Sequence, residues 1–463
     1  MITIRRSILI LAGVLVFAPG TARAHAHLKK SSPANGATMN VAPTTIWLSF
    51  SERPELRMTF AELDDSLGRN RALGPITRDE SDPLAVQVAI LETLSPGRYT
   101  ITWRTAASDG HPSSGKISFV VVQSSANAAA DLQHRSTDSS TVQESRDVST
   151  HSMSAQDGDP ATSVPNSLAR AFLFASIIAL AGAIVFGTLV ANRNAAWSPE
   201  MIDAMRRRAA SLGIGAATAL LIAALARLYL EHSMMESMPD MPGMAHLSIS
   251  DMLTETVWGT GLVLQVGGTL VALLALIFAR RRNEAAWGAA VVAALVVAIT
   301  PALMGHAASS PRFTRLLAVA DWLHVVAASA WIGTLLCVMT AGVTVAMRFD
   351  EGDRWSSIAQ MVGRFSSIAM FSVAAVLISG VFASWIHVKH FADLWTTQYG
   401  QVLIVKLTIV LLTLLIGAYN FKRVQPELLS ESGTARLKKS AAAELAAALL
   451  VVLVTGLLTG VSP

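Results

Sequence analysis

An apolar run of about 20 residues crosses a bilayer as a helix, because no water is present there to satisfy backbone polar groups and the helix satisfies its own. The sequence carries eight such runs beyond residue 165, at 168–191, 209–230, 255–279, 285–304, 315–346, 361–386, 400–421 and 440–461. The spacing predicts an all-α polytopic membrane bundle of eight transmembrane helices over residues 166–463. Hydrophobic residues make up 52% of the chain and charged ones only 15%, against about 25% in ordinary soluble proteins.

The basic residues are not scattered. Loops at one end of the predicted spans hold Arg193, Arg206, Arg207 and Arg208, then Arg280, Arg281 and Arg282, then Arg348 and Arg354, then Lys422, Arg423, Arg436, Lys438 and Lys439. Loops at the other end hold only Arg312, Arg315 and Lys389. Positive residues mark the cytoplasmic side, so both ends of the bundle segment lie outside. The formal charge of +4 is thereby explained by membrane topology, and no nucleic-acid partner is expected.

The N-terminus gives the same orientation independently. Arg5 and Arg6 precede an apolar stretch from Ile8 to Phe17, then Pro19, Gly20 and Ala22-Arg23-Ala24. This is a secretory signal peptide, residues 1–24, with a small-residue cleavage site. Cleavage after Ala24 leaves His25 first. Its free amine and its imidazole then chelate one metal ion together, and His27 stands two residues away. Tetragonal nitrogen and oxygen sites suit Cu(II), which also stands highest in the divalent affinity order.

Residues 25–122 read as soluble and rich in short strands: Thr45 to Phe50, Met58 to Leu63, Ala85 to Ile90, Tyr99 to Thr105 and Lys116 to Val122, with turn residues between them. That pattern predicts an all-β sandwich or barrel. Ser108-Asp109-Gly110-His111-Pro112 offers a carboxylate and an imidazole at i and i+2, which point the same way in extended chain. The same stretch also reads as a hairpin turn built on Asp-Gly. The only cysteine, Cys337, lies in a predicted span, so the exported domain has no disulfide.

Residues 123–165 are rich in Ser, Ala, Asp, Gln and Thr and form the expected flexible linker. His134, His151 and Met153 in it read as incidental. Between spans two and three lies a polar, proline-broken segment with His232, Met234, Met235, Met238, Met241, Met244 and His246. Thioethers are soft ligands suited to Cu(I); the other reading is a hydrophobic lid. Polar residues inside spans mark function or interhelical bonding. They are His306, Asp321 and His324 three apart on one helix face, Arg364, His387, His390, Lys406, Asn420 and Glu444.

Two resemblances follow from these residues. The exported domain resembles the CopC family of periplasmic copper-binding proteins through His25, His27, Ser31-Ser32-Pro33-Ala34-Asn35-Gly36, Ile46 to Phe50, Pro96-Gly97-Arg98-Tyr99, Trp103, Ser108 to Pro112 and Gly115. The resemblance implies a Greek-key β-barrel or sandwich and a Cu(II) site of His25, Asp109 and His111, with His27 beside it. Residues 166–463 resemble the CopD family of copper-resistance membrane proteins. Gly305-His306-Ala307, Asp321-Trp322-Leu323-His324, Trp331-Ile332-Gly333, Arg364-Phe365-Ser366, Gly380, Tyr399-Gly400, Lys406 and Asn420 carry it.

Together these imply a copper-homeostasis protein of the inner membrane that binds and transports copper and is not an enzyme, with the bilayer, copper ion and periplasmic copper carriers as its partners. The chain has no GxxxxGK[ST] nucleotide loop. A cation moving inward gains about 2.3 kcal/mol per charge per 100 mV, so import is the expected direction. The path would run from the Cu(II) site through the methionine segment or His306, Asp321 and His324. Two other readings stay open: a haem-b electron-transfer bundle with paired histidines, and copper sequestration or sensing without transport.

Overall fold

The computed structural model describes residues 28–107, 112–122, 163–192, 197–236, 248–305, 314–388 and 390–461. Of the residues singled out above, His25, His27, Asp109, His111, His134, His151, Met153, Arg193, Met238, Met241, Met244, His246, His306, Arg312, Lys389 and the side chain of Met235 lie outside the described residues, as do the expected signal peptide and most of the expected linker.

Among the described residues, nine strands form the N-terminal unit: β1 (Leu28–Ser32), β2 (Ala37–Met39), β3 (Thr45–Phe50), β4 (Phe60–Asp65), β5 (Asn70–Arg71), β6 (Thr77–Arg78), β7 (Ala85–Ala89), β8 (Gly97–Ala106) and β9 (Pro112–Val121). They make two sheets, ordered β1-β3-β7-β6 and β2-β9-β8-β4-β5. The expected β-fold is therefore a sandwich. Alternation along the strands builds its core: Ile46, Leu48 and Phe50 from β3, Leu63 from β4, Val86 and Val88 from β7, Tyr99, Ile101 and Trp103 from β8, and Ile117, Phe119 and Val121 from β9. Trp47, between two of these, turns outward and donates its indole N–H to Asp79 at 3.0 Å.

Two local details explain residues of the CopC pattern. The Tyr99 hydroxyl donates to the Ser95 carbonyl at 2.7 Å and fixes the entry into β8. Gly115 faces Trp103 across the β8–β9 ladder, and a Cβ there would stand 2.7 Å from the indole ring. Gly115→Ala is expected to destabilise the β-domain by about 1–3 kcal/mol through overpacking, seen as a lower melting temperature.

The strand expected at Met58 to Leu63 begins later. Leu56–Met58 is a 3-10 turn, stabilised where the Thr59 hydroxyl donates to the Glu55 carbonyl at 2.7 Å. The short strands β1, β2, β5 and β6 were not expected, because too few residues in them alternate.

Among the described residues, eight helices are long and apolar enough to cross a membrane: α1 (Val164–Val190), α2 (Pro199–Met234), α3 (Val257–Arg280), α4 (Glu284–Leu303), α5 (Thr314–Ala346), α6 (Asp353–His387), α7 (Gln398–Glu427) and α8 (Glu431–Leu458). The number agrees with the sequence reading. Several helices are longer than the apolar runs: α2 starts ten residues before the expected 209, and α8 nine before the expected 440. Hydropathy marks only the part that suits lipid. Helical hydrogen bonding continues through charged turns such as Arg206 to Arg208 until a capping residue ends it. Side chains of Thr256, Asn283, Thr397 and Ser430 cap α3, α4, α7 and α8.

Helix α1 packs against α2, α4, α5 and α8. Its Gly182 meets Gly333 of α5 backbone to backbone, as small residues allow in membrane bundles. In α4, Pro301 cannot donate to the Val297 carbonyl; the Thr300 hydroxyl donates to that carbonyl instead, at 2.8 Å.

Candidate functional site

At the sandwich, the strands that flank the candidate ligands converge. Leu28, three residues after His25, opens β1 opposite Phe50. Four residues past Phe50, Pro54 bridges Ala107, and the Glu55 amide donates to the Ala106 carbonyl at 2.8 Å. Ala106 pairs with Pro112 at the end of the β8–β9 hairpin. Leu28, Ala107 and Pro112 therefore lie toward the same end of the sandwich.

In the bundle, the structure gathers polar residues from α5, α6 and α7 at the end where the chain enters from the β-domain. His324 stands ten residues into α5, about 15 Å along it. Its Nδ1 lies 3.0 Å from the Ser379 hydroxyl of α6. Gly380 lies beside the ring, where an added Cβ would make only ordinary contact with His324 Cε1 at 3.5 Å. Lys406 of α7 lies in electrostatic range of both Asp321 and His324. Tyr399, at the start of α7, is in range of Asp321. Nearer the helix ends, the His387 ring lies 5.9 Å from the Tyr399 ring, and its Nδ1 is 2.9 Å from the Ala383 carbonyl.

His324 and Ser379 thus meet between α5 and α6, with Lys406 close enough to interact electrostatically with both His324 and Asp321, while His387 and Tyr399 meet nearer the helix ends. Opposite charges on Asp321 and Lys406 offset part of the desolvation of each. Among the described residues, no group of three or more His, Cys, Asp or Glu is arranged to hold a metal ion.

The remaining candidates sit elsewhere. His390 is exposed, and its amide donates to Asp393 at 2.8 Å. Arg364 binds the carbonyls of Val190 and Asn192 at 3.0 and 3.3 Å and lies over Trp197 at 5.0 Å, so it fastens α6 to the end of α1. Met234 ends α2, where its sulfur accepts from Asn166 of α1 at 3.1 Å. Close by, buried Arg227 pairs with Glu231 at 3.3 Å and stacks over Trp258 at 5.7 Å.

Sequence reasoning missed Ser379 and the Arg227–Glu231 pair. A serine in an apolar run was the available signal for the first, and an i, i+4 pair of opposite charges for the second.

The family model described as the CopC domain matches residues 28–122. That for the copper resistance protein D-like N-terminal domain matches 161–311, and that for copper resistance protein D matches 359–458. The chain is similar to the copper transport protein CutJ of Bacillus subtilis (strain 168), 24% identical over 417 residues, covering 89% of this chain and 70% of that protein. It is 36% identical to protein YobA of Escherichia coli (strain K12) over 98 residues, covering 21% of this chain and 79% of the relative. It is 32% identical to copper resistance protein C of Pseudomonas syringae pv. tomato over 118 residues, or 24% of this chain and 91% of that protein.

Proposed function

Since this chain belongs to the copper-resistance family, with a CopC domain and a CopD domain in one polypeptide, we propose that it captures copper outside the inner membrane and carries it inward. Cu(II) binds at the mature N-terminus through the His25 amine and ring, with Asp109 and His111 completing the site and His27 beside it. The convergence of β1, β3, β8 and β9 at one end of the sandwich supports this ligand set.

From there the ion passes to the bundle. Met234 and the rest of the methionine segment, with His232 and His246, offer soft donors for Cu(I), and His306, Asp321 and His324 offer the next step. Transfer from nitrogen ligands to thioethers requires a one-electron reduction by an external donor. The observation that carries the bundle half of the reading is the group of polar residues Asp321, His324, Ser379, Tyr399 and Lys406 on α5, α6 and α7 in otherwise apolar helices. Such groups are costly in a membrane and default to a transport path. Between passages of the ion, Lys406 neutralises Asp321. The membrane potential supplies the driving force, about 2.3 kcal/mol per charge per 100 mV.

His324→Ala is expected to lower copper accumulation by cells expressing the protein by at least about tenfold, as loss of a metal-site partner does, while expression is maintained. His25→Ala should abolish binding at the outer domain and lower uptake at limiting copper. Unchanged accumulation in both variants, with outer binding lost in the second, would leave sequestration in place of import.

A further inference from the structure

A second buried polar cluster lies in the far half of the bundle, and the reading above does not use it. Glu444, 3% exposed, sits midway along α8. Its Oε1 accepts from the Trp331 indole of α5 at 3.0 Å, and its Oε2 accepts from the Asn420 amide of α7 at 2.8 Å. Trp331 is 17 residues into α5 and Asn420 is 22 into α7, about 25 and 33 Å from the β-domain end. Both donors stand on π-helical turns, Ser329–Gly333 and Asn420–Val424, a distortion that recurs at functional sites.

Both partners are neutral, and among the described residues no cationic side chain pairs with this carboxylate. Tyr419, Lys422 and Arg423 of α7 lie within three residues of Asn420 but are exposed, and the other titratable and charged groups on the packed elements lie at other levels or on the surface. Lys406 of α7 is 14 residues from Asn420, about 21 Å. Asp321 and His324 of α5 precede Trp331 by ten and seven residues, about 15 and 10 Å. Arg170 of α1 is near that helix's β-domain end. Lys438 and Lys439 of α8 are exposed. A carboxylate buried with only neutral donors carries an uncompensated charge, which costs several kcal/mol unless a proton or a passing cation cancels it.

Asn420 supplies what both states need. Its Nδ2 donates to the ionised carboxylate, while its Oδ1 is buried and makes no hydrogen bond. Rotation of the amide by half a turn presents Oδ1 to a protonated carboxyl, which then donates. Trp331 donates in either state.

We propose that Glu444 is a proton-binding site that exchanges its proton for the positive charge of the ion in transit. It is protonated when no cation is near and releases the proton when one descends from His324. The exchange rests on the transport reading; protonation of Glu444 does not.

Infrared titration of the full-length protein in lipid tests the site without any variant needing to transport. A carboxylic-acid C=O band that is present without copper and disappears on alkalinisation is expected in wild type and, at a shifted frequency, in Glu444→Asp, and is expected to be missing in Glu444→Gln. Glu444→Gln keeps an acceptor for Trp331 and a donor for Asn420 Oδ1, so it should fold. The same band in Glu444→Gln, or none in wild type, overturns the proposal. In proteoliposomes with an enclosed pH dye, wild-type copper uptake is expected to release protons, and Glu444→Gln to lose that release. Equal proton release in the two overturns the exchange. Wild-type vesicles that admit no copper would instead remove the transport reading, and the infrared result alone would then decide on Glu444.

Discussion

Adding one residue ahead of His25 is expected to lower Cu(II) affinity at the outer domain by more than about 100-fold. Loss even of an outer-shell partner costs about 10- to 100-fold, and the extension removes a direct donor. If cleavage after Ala24 exposes His25, as proposed, its amine and imidazole would form a chelate whose geometry is covalent. An extension turns that amine into an amide, which is a poor donor at neutral pH, and leaves the ring alone. The measurement is competition titration of the secreted protein, with electron paramagnetic resonance to follow nitrogen coupling. An unchanged spectrum and affinity would mean that the terminal amine is not a ligand. Asp109→Ala and His111→Ala should also weaken binding, if those residues complete the proposed site; the described strands β8 and β9 end near the start of β1.

Gly333→Leu is expected to prevent assembly of the membrane domain. A Cβ at Gly333 would fall within the Ile178 carbonyl, and one at Gly182 within the Gly333 backbone. Neither obstacle is the end of a flexible side chain, so relief requires α1 and α5 to separate. Overpacking in an adaptable core costs about 1–3 kcal/mol; backbone collision at the central crossing should exceed this range. Separation would also displace Trp331, two residues away, from Glu444. Size-exclusion chromatography in detergent should show aggregated or lost protein for Gly333→Leu, and reduced thermal stability for Gly333→Ala. A monodisperse Gly333→Leu protein with wild-type stability would contradict the crossing.

Much of the architecture was legible because its causes are local. Eight apolar runs became eight helices, since a lipid-facing backbone has no alternative to internal hydrogen bonding. The alternating stretches at Thr45 to Phe50 and Tyr99 to Thr105 became core strands because one of their faces is buried. Short strands such as Ala37–Met39 escaped notice: β2 exists because it pairs in parallel with β9, from Phe119 to Val121, and three residues hold no periodicity. Helix ends were misplaced where charged turns continue a helix beyond its apolar part.

The polar residues of the bundle divide in the same way. That Asp321, His324, Lys406, Asn420 and Glu444 are costly inside a membrane follows from their chemistry, so the sequence alone marked them. It also put Asp321 and His324 on one face, since helical neighbours recur at three and four residues. Which residues meet depends on helix packing across the bundle. Ser379 holds His324 across 55 positions of sequence, and Trp331 reaches Glu444 across 113. No local pattern encodes those distances. The close approach of α1 and α5 at two glycines, together with the way α6, α7 and α8 pack around α5, decided that the histidine joins a lysine and a carboxylate while the glutamate is left with neutral donors.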